Sequence, residues 1–541
     1  MTSSDGASKH DFPAASGDAG GGLSVFASNG PPPCPPRFNI AAHVLSAAAT
    51  TPQKIALQVL ADAHGAVAET WRFADLDRRI RGLAAGLGRA GLKPGDRVAL
   101  RFANSADFPL VFFATIAAGG VAVPVAAQLT PGEAAAILHR VAPRFAAFGP
   151  GLDAPLPPGT AALDPATLAE MAIEAPGPIA DTAADDPAFL IFTSGTSGSP
   201  RGVLHAQRSA WARRMMWQGW YGLSEADRVL HAGAFNWTYT LGAGLTDPWA
   251  AGATALVYAG PPDPLIWPRL AAHHHPTIFA AVPGVYRQML RAEDDLAAAF
   301  APLRHGLTAG EKMPSSVADA WSARTAKPIH EALGMTELST FISGAPDRPA
   351  PPGAIGYPQP GRRVAILAED AAPGQRHPVP RGTPGLLAAH RADPGLMIGY
   401  WQDPAADAAT SEGDWFVPGD RGVMAADGAI THLGRADDVM NALGYRVAPQ
   451  EVEQALAGAP GIAEIAVAEL PMRTDLSLIA AFVVPAADWD GTAVLEAWAA
   501  DRLAPYKCPR LWIEVDALPR TANGKLRRRA LVAEHRRDTT A

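Results

Sequence analysis

The chain has 541 residues, of which 48% are hydrophobic and 18% are charged. This length and composition predict a large apolar core divided between two or more domains. The formal net charge of -8 argues against a broad nucleic-acid footprint, although it leaves room for a local basic pocket that holds a phosphorylated ligand. Cys34 and Cys508 lie far apart in the sequence, so no disulfide framework is readable and a reducing cytoplasm is expected.

The first 38 residues are rich in Gly, Ser, Ala and Pro, and they lack the basic start and apolar core of a secretory signal. We interpret residues 1–38 as a flexible tail with no assigned function. No apolar stretch of the sequence reaches the ~20 residues that span a bilayer, so stable membrane insertion is not expected.

From about residue 39, short apolar runs alternate with helix-like segments. Residues 97–102 and 121–125 are predicted strands on either side of a helix at 108–120, and further strands are predicted at 253–259 and 277–282. Strands that alternate with helices indicate parallel βαβ units, in which helices cover the sheet.

The pattern of predicted secondary structure changes twice toward the C-terminus. After Gly353, short strands with frequent Gly and Pro predict a smaller β-rich subdomain. Past residues 431–438, a compact α+β unit is predicted, with helices at 450–459 and 493–503 and strands at 463–470, 478–485 and 511–515. The expected fold class is therefore α/β, with a large N-terminal domain of βαβ-type sheets plus the β-rich subdomain (39–434) and a small mobile α+β C-terminal domain (435–541).

The stretch FTSGTSGSPRG (192–202) follows an apolar run at 188–191. Its glycines would let backbone N–H groups approach an anion, its hydroxyl groups can donate to phosphate oxygens, and Arg201 supplies positive charge. The pattern departs from the common P-loop. A solvated Gly/Ser connector is the alternative, and this stretch alone does not decide between the two.

The stretch GMTELS (334–339) places Thr336 next to Glu337. This pair suits a phosphate contact beside a Mg²⁺ ligand, because Mg²⁺ prefers carboxylate and phosphate oxygens. The first turn of a helix, where Glu is common, is the alternative.

In the stretch 413–453, Asp420 lies in a turn where its carboxylate could accept hydrogen bonds from ribose hydroxyls. Arg435 could reach a phosphate or the same ribose, and a surface turn with an ion pair is the alternative. Near the C-terminus, Lys525 follows the turn pair Asn523-Gly524 and is expected at a loop tip. The stretch PRTANGKLRRRAL (519–531) around it is rich in Lys and Arg, and a solvated basic tail is the commoner meaning of such a cluster.

In their order and spacing, these four motifs resemble those of the adenylate-forming superfamily: acyl- and aryl-CoA synthetases, luciferases and peptide-synthetase adenylation domains. The resemblance extends over the chain from about residue 39 and is closest to medium-chain acyl-CoA and benzoate-CoA ligases. TAGEKMP (308–314) is similar to the adenine-binding segment of the family. The resemblance implies that ATP activates a carboxylate as acyl-AMP with release of pyrophosphate, and that the acyl group then passes to the thiol of coenzyme A.

The same resemblance implies the cofactors and the site residues. ATP, Mg²⁺ and coenzyme A are expected, and Asp437 is implied as the hinge about which the C-terminal domain rotates between the two steps. The implied catalytic residues are Lys525, Thr336, Glu337 and Arg435, with Glu337 also the Mg²⁺ ligand. The implied nucleotide- and CoA-binding residues are Thr193, Ser194, Gly195, Thr196, Ser197, Gly198, Arg201, Gly310, Glu311, Lys312, Asp420, Arg435, Gly444, Tyr445 and Arg446. The implied substrate pocket comprises Asn236, Trp237, Gly242, Gly334 and Met335.

Two positions depart from the family pattern. Arg201 stands where most members have Lys, and a guanidinium fork is not equivalent to the point charge of Lys. Asn441 occupies a position often held by Lys. Neither departure is expected to inactivate the protein.

The substrate expected from the resemblance is an uncharged medium-chain or aromatic carboxylic acid. Trp237 matches an aromatic position of acetyl- and medium-chain acyl-CoA synthetases; ordinary core packing is the alternative for Trp237 and Tyr239, and the preferred interpretation for Trp249. A stand-alone ligase that loads the pantetheine of a carrier protein is a second hypothesis. A sensor that binds adenylates without catalysis is a third, which the retained motif residues disfavour. No nucleic-acid partner is expected, and a homodimer is compatible with the resemblance.

Overall fold

The structure is a computed structural model, which describes residues 22–27, 33–193, 201–261, 263, 265–291, 295–436, 440–442, 445–473, 476–487, 489, 491–503, 505, 507–521 and 526–538. The chain divides into two compact units. The first comprises Val25–Val364 and Ala389–Asp414, and the second comprises Gly22–Ser24, Ala365–Ala388 and Trp415–Ala541. The domain boundaries predicted at residues 38 and 434 stay predictions.

The strands, in chain order, are β1 (Val25–Ala27), β2 (Ile55–Leu60), β3 (Val67–Arg72), β4 (Arg97–Arg101), β5 (Val121–Pro124), β6 (Phe145–Phe148), β7 (Ala161–Leu163), β8 (Pro187–Thr193), β9 (Arg201–Ala206), β10 (Arg228–His231), β11 (Thr254–Tyr258), β12 (Ile278–Ala280), β13 (His305–Ala309), β14 (Ile329–Met335), β15 (Ser339–Ser343), β16 (Tyr357–Pro358), β17 (Arg363–Leu367), β18 (Gly385–His390), β19 (Gly399–Tyr400), β20 (Ser411–Glu412), β21 (Trp415–Phe416), β22 (Asp420–Met424), β23 (Ile430–Arg435), β24 (Met440–Ala442), β25 (Tyr445–Val447), β26 (Ile462–Arg473), β27 (Leu476–Pro485) and β28 (Leu511–Glu514).

The helices are α1 (Ile40–Val44), α2 (Ala47–Thr50), α3 (Phe73–Arg89), α4 (Asp107–Ala117), α5 (Pro131–Val141), α6 (Pro165–Ala172), α7 (Arg208–Ala212), α8 (Arg214–Met216), α9 (Thr238–Leu241), α10 (Asp247–Ala250), α11 (Ile266–His274), α12 (Pro283–Arg291), α13 (Leu296–Ala299), α14 (Ser315–Thr325), α15 (Pro404–Ala409), α16 (Pro449–Leu456), α17 (Thr492–Arg502) and α18 (Arg528–Asp538). The first unit also contains two π-helical segments, Trp217–Tyr221 and Gly242–Thr246. No helix in the described part of the chain is long and apolar enough to cross a membrane.

Two sheets form the framework of the first unit. One has the strand order β16-β15-β14-β13-β12-β10-β11-β2-β3, and the other has the order β19-β9-β8-β5-β4-β6-β7. The central strands are parallel, from β14 to β2 in the first sheet and from β8 to β7 in the second. Antiparallel strands lie at the edges of both sheets. The expected α/β class with parallel βαβ units is confirmed.

Helix α3 shows why these segments fold against the sheets. Phe73, Leu76, Ile80, Leu83 and Leu87 are all buried, and their spacing of three or four residues puts them on one face of the helix. These side chains belong to a large apolar core that includes α4 and several strands of both sheets.

The strands and helices predicted from the sequence are confirmed to within a few residues. Strand 97–102 is β4, strand 121–125 is β5, strand 253–259 is β11 and strand 277–282 is β12. The helix predicted at 108–120 ends earlier, at Ala117, because Gly119 adopts a left-handed backbone conformation with φ of 80°.

The predicted N-terminal tail differs from the structure at residues 22–27. The Ser24 N–H donates to the Val379 carbonyl at 2.7 Å, and the Ile366 N–H donates to the Ser24 carbonyl at 2.9 Å. Phe26 in β1 is buried, with 4% of its surface exposed. Composition suggested a tail, but the short run LSVFA supplies the β-branched and aromatic residues that a strand requires.

The second unit contains a hairpin and an α+β segment. Strand β22 pairs antiparallel with β23, and further along the chain β26, β27 and β28 form a sheet. The helices α16 and α17 bury Val452, Leu456, Leu495 and Ala499, and residues of β26 and β27 share these apolar clusters. The α+β character predicted for the C-terminal segment is confirmed.

Candidate functional site

Three segments of the first unit meet at one edge of a parallel sheet. Strands β10, β13 and β14 run parallel within it, so the segments that follow their carboxyl ends lie at the same edge. In chain order these segments carry Asn236 and Trp237, then Gly310, Glu311 and Lys312, then Thr336 and Glu337. The fold therefore brings together three of the groups that the sequence had assigned to binding or catalysis.

Trp237 lies directly against Gly310. The backbone of Gly310 has φ of 93°, and a Cβ at this position would lie 2.9 Å from Cζ2 of the Trp237 ring. The ring also packs edge-on against Tyr239, with 5.3 Å between ring centroids. Only glycine satisfies both the backbone conformation and this close approach, so the indole covers the segment that resembles an adenine-binding sequence.

The carboxylate of Glu337 is held by a residue that the sequence analysis missed. The Tyr400 hydroxyl donates to Oε1 of Glu337 at 2.9 Å, and the Met397 N–H donates to the Glu337 carbonyl at 2.8 Å. Burial, together with the neighbouring Glu337 carboxylate, raises the pKa of Tyr400, so this hydroxyl keeps its proton. Tyr400 reaches the site because β19 pairs with β9, a contact for which the sequence offers no local signal.

Arg201 lies at the base of the predicted phosphate loop. It pairs with Thr193 across the β8–β9 ladder, and its guanidinium carbon lies 4.8 Å from the centroid of the Tyr400 ring. Its Nε also lies 3.8 Å from Oδ2 of Asp403. The other predicted loop residues, Ser194, Gly195, Thr196, Ser197 and Gly198, lie outside the described residues.

The chemistry of Glu337 fits Mg²⁺. It is a half-buried carboxylate that directly follows Thr336, and carboxylate oxygen is the protein ligand that this ion prefers. The described residues contain no group of three or more His, Cys, Asp or Glu side chains that could hold a metal. A single carboxylate matches Mg²⁺, which is typically held by one or two carboxylates and the phosphates of a substrate.

In the second unit, the β22–β23 hairpin brings Asp420 and Arg435 together. The two residues are direct partners across the ladder, and Nη1 of Arg435 lies 3.7 Å from Oδ2 of Asp420. His432, which the sequence analysis did not single out, donates from Nε2 to Oδ1 of Asp420 at 2.9 Å. The Asp427-Gly428 dipeptide at the hairpin turn is the signal that would have predicted this pairing.

The structure describes only some of the remaining predicted site residues in the C-terminal segment. Tyr445 and Arg446 lie in β25, where their backbones pair with Ala442 and Asn441 of β24. The predicted hinge Asp437, the predicted pantetheine contact Gly444 and the predicted catalytic Lys525 lie outside the described residues.

A cavity in the first unit lies beside Thr336. Its apolar wall includes the side chains of Ile40, Phe112, Phe189, Leu241 and Leu338, and its polar wall includes His205, Ser209, Arg213, Thr246 and Ser339. Of the five residues predicted for the substrate pocket, Gly242 lines this cavity. Asn236 and Trp237 lie in the segment after β10, and Gly334 and Met335 lie in β14; none of these four is among the lining residues.

A buried ion pair forms part of the cavity wall. The Arg213 guanidinium donates to both carboxylate oxygens of Asp247, at 2.8 and 2.6 Å, and these side chains are only 12% and 1% exposed. The Tyr221 hydroxyl donates to Asp247 at 2.8 Å, and Nη1 of Arg213 donates to Oγ of Ser339 at 2.5 Å. Burial lowers the pKa of Arg213, but the neighbouring Asp247 and Tyr221 raise it by more. The net effect is a raised pKa, so the guanidinium stays charged.

Gly242 is required by this arrangement. A Cβ at residue 242 would overlap the Arg213 guanidinium. Gly242 also begins the π-helical segment Gly242–Thr246, whose two ends both line the cavity. Such segments occur frequently at functional sites, because the extra residue per turn redirects neighbouring side chains.

His205 is buried in the same wall, with 4% of its surface exposed. Its ring stacks on Phe189, with 4.6 Å between centroids. Burial lowers the pKa of His205 to about 3, and the nearby Thr336 backbone only partly opposes this shift, so the imidazole is neutral at pH 7. Among the described residues, neither ring nitrogen has a hydrogen-bond partner of acceptable geometry.

Comparison with known proteins gives consistent matches. Residues 45–401 match the family model described as AMP-binding enzyme, and residues 451–525 match the AMP-binding enzyme C-terminal domain. The 3-hydroxybenzoate–CoA/4-hydroxybenzoate–CoA ligase of Thauera aromatica is 30% identical over 84% of this chain and 90% of its own length. The benzoate–CoA ligase of Thauera aromatica is 32% identical over 81% of this chain and 86% of its own. A solved structure of a benzoate CoA ligase from Burkholderia xenovorans LB400 has a TM-score of 0.79 at 28% identity, covering 91% of this chain and 99% of that one.

The buried neutral His205 predicts a specific loss of stability in acid. Its folded pKa of about 3 lies below the unfolded value of 6.5, so as the pH falls the unfolded chain takes up the proton first. The stability associated with the neutral ring is complete above pH 6.5 and is lost between pH 6.5 and 3. Between pH 7 and pH 5, His205→Gln should therefore lose about 2 kcal/mol less stability than the wild type.

Denaturant unfolding at the two pH values measures this difference, with the exposed His64→Gln as the matched control. An identical pH dependence for the wild type and His205→Gln would show that His205 does not stay neutral in the folded protein.

Proposed function

The chain belongs to the AMP-binding enzyme family, and on that premise we propose that it activates an uncharged medium-chain or aromatic carboxylic acid. The enzyme is an AMP-forming carboxylic acid–CoA ligase that uses ATP, Mg²⁺ and coenzyme A. The observation that carries the proposed substrate class is the cavity beside Thr336, whose wall includes Phe112, Phe189 and Leu241. An acyl group with an apolar body fits such a wall, because burial of apolar surface is favourable by ~25 cal/mol per Å².

The position of the cavity suits the first half-reaction. A carboxylate is a poor electrophile, and adenylation gives it a good leaving group. In the proposed arrangement, the acid lies in the cavity with its carboxylate toward Thr336, which contacts the α-phosphate of ATP. Holding the two reactants at one sheet edge replaces a bimolecular encounter with a positioned attack.

The repulsion between the carboxylate and the phosphates must be offset in this step. Glu337 would hold Mg²⁺, and the ion when bound neutralises phosphate charge and stabilises the charge that develops in the transition state. Tyr400 orients the Glu337 carboxylate through its hydrogen bond, and Arg201 adds positive charge at the base of the predicted phosphate loop. Lys525 is proposed to stabilise charge on the α-phosphate.

The second unit is proposed to hold the ribose and to change the active site between steps. Asp420 would accept hydrogen bonds from the ribose hydroxyls, while Arg435 and His432 fix the orientation of its carboxylate. Rotation about Asp437 would then remove Lys525 and bring the Gly444 loop to the pantetheine thiol. Alternation of this kind lets one site catalyse two different reactions.

Carboxylate-dependent release of pyrophosphate, measured with a panel of acids, tests the proposed reaction and its substrate class. We expect benzoates or medium-chain acids to give the highest kcat/KM with ATP, Mg²⁺ and free coenzyme A. Pyrophosphate release with no acid of the panel would refute the activation step. Acyl transfer to a holo-carrier protein but not to free coenzyme A would instead identify a carrier-loading ligase.

The variant Lys525→Ala should separate the half-reactions. Removal of a comparable preorganised donor lowers the rate on the order of 10²–10³-fold, so formation of acyl-AMP should fall at least that far. Transfer from supplied acyl-AMP to coenzyme A should stay near the wild-type rate, because Lys525 acts only on the α-phosphate in the first step. Lys93→Ala, on the surface of the first unit, is the control; equal loss of both half-reactions would contradict the assigned role.

The variant Tyr400→Phe tests the contact with Glu337. Loss of a residue that orients a metal ligand typically weakens metal binding 10–100-fold, so the half-saturating Mg²⁺ concentration should rise by about tenfold. The rate at saturating Mg²⁺ should change far less. Tyr258→Phe, which loses a hydrogen bond to Pro261 instead, is the matched control. An unchanged Mg²⁺ dependence in Tyr400→Phe would remove Glu337 from the metal site.

A further inference from the structure

We propose that the cavity selects an acid that carries an uncharged polar substituent, such as a hydroxyl group, in addition to the carboxylate. Arg213, His205 and Ser209 are the residues that recognise it. The inference rests on the proposed function, because it takes the cavity to be the place where the acyl group binds.

His205 and Ser209 in the cavity wall carry buried polar atoms that have no partner among the described residues. Neither ring nitrogen of His205 nor the Ser209 hydroxyl has a hydrogen-bond partner among the described residues, and the two residues are 4% and 7% exposed. A buried polar group left without a partner costs about 1–3 kcal/mol, so native structures normally satisfy it with protein, water or ligand. Both residues line the cavity, where a ligand reaches them.

The chemistry of these groups favours a hydroxyl. The neutral imidazole of His205 has one donor and one acceptor nitrogen, and the Ser209 hydroxyl both donates and accepts. A hydroxyl group on the substrate also does both, so it can satisfy either residue. A methyl group of similar size satisfies neither and leaves the polar atoms buried without water.

Arg213 contributes a further donor without contributing net charge. Among the described residues, four of its five N–H groups have acceptors, two on Asp247, one on Tyr221 and one on Ser339. Arg213 lines the cavity, so the remaining N–H on Nη1 is available to an acceptor there. Its charge is already neutralised by Asp247, so a second carboxylate on the substrate would bring an uncompensated negative charge into a buried site.

The experiment compares acids that differ only in one group. Pyrophosphate release is measured for benzoates that carry a hydroxyl, a methyl or a second carboxylate at the same ring position, for each of the three positions. At the preferred position the wild type should favour the hydroxyl over the methyl by at least about tenfold in kcat/KM, because a site built around a hydroxyl strongly rejects the analogue that lacks it. The dicarboxylate should be the poorest substrate.

The variant Arg213→Met should remove most of this preference, mainly by lowering kcat/KM for the hydroxy acid. Because loss of Arg213 leaves Asp247 buried without its partner, the variant is first checked for folding by its unfolding midpoint. Ser209→Ala changes little volume and should lower the preference several-fold even if Arg213→Met fails to fold. Arg214→Met, the next residue along the chain, stacks on Trp211, does not line the cavity, and is the matched control.

A preference for the methyl acid or for the dicarboxylate would overturn the proposal, as would an unchanged hydroxyl-to-methyl ratio in both Arg213→Met and Ser209→Ala. Calorimetric titration of the same acids into the enzyme separates this inference from the proposed reaction. Binding with the hydroxyl preference but without pyrophosphate release would refute the reaction and support the selectivity. Pyrophosphate release without the hydroxyl preference would support the reaction and refute the selectivity.

Discussion

The parallel hydrogen bonding of β10, β12, β13 and β14 is the constraint on which the site depends. Parallel strands place all their carboxyl ends at one edge, so residues far apart in the chain become neighbours. The contact between Trp237 and Gly310 is the direct result, since each residue follows a different strand of this sheet. A change that shifted the register of one strand would separate the groups that this edge brings together.

The second constraint is the buried ion pair of Arg213 and Asp247. Breaking such a pair by removing one partner typically costs about 3–5 kcal/mol, whereas an apolar pair of similar volume would be equally or more stabilising. The pair is therefore poorly explained by stability alone. The pair lies in a cavity wall, and a glycine that begins a π-helical segment makes room for the guanidinium. These features indicate that the wall is shaped for a ligand.

Local patterns predicted much of this architecture, because period and turn residues act over a few positions. Strand β4, helix α4 and the C-terminal strands β26 and β27 follow from apolar periodicity. Tyr400, His432 and His205 were not predicted. Each acquires its role through pairing or packing with distant parts of the chain, and nothing in its immediate sequence specifies that partner. The roles of Lys525, Asp437 and Gly444 remain inferences from motif alone.

The burial of Arg213 also determines how the selectivity of this cavity wall for its ligand depends on salt concentration. Mobile ions screen charges at a protein surface over about 10 Å at 0.1 M salt, but they do not enter a wall whose charged side chains are almost wholly covered. Recognition at this wall is therefore governed by hydrogen-bond complementarity and dehydration rather than by long-range attraction. Selectivity that originates there should be insensitive to ionic strength, whereas the encounter with the anionic nucleotide should depend on it strongly.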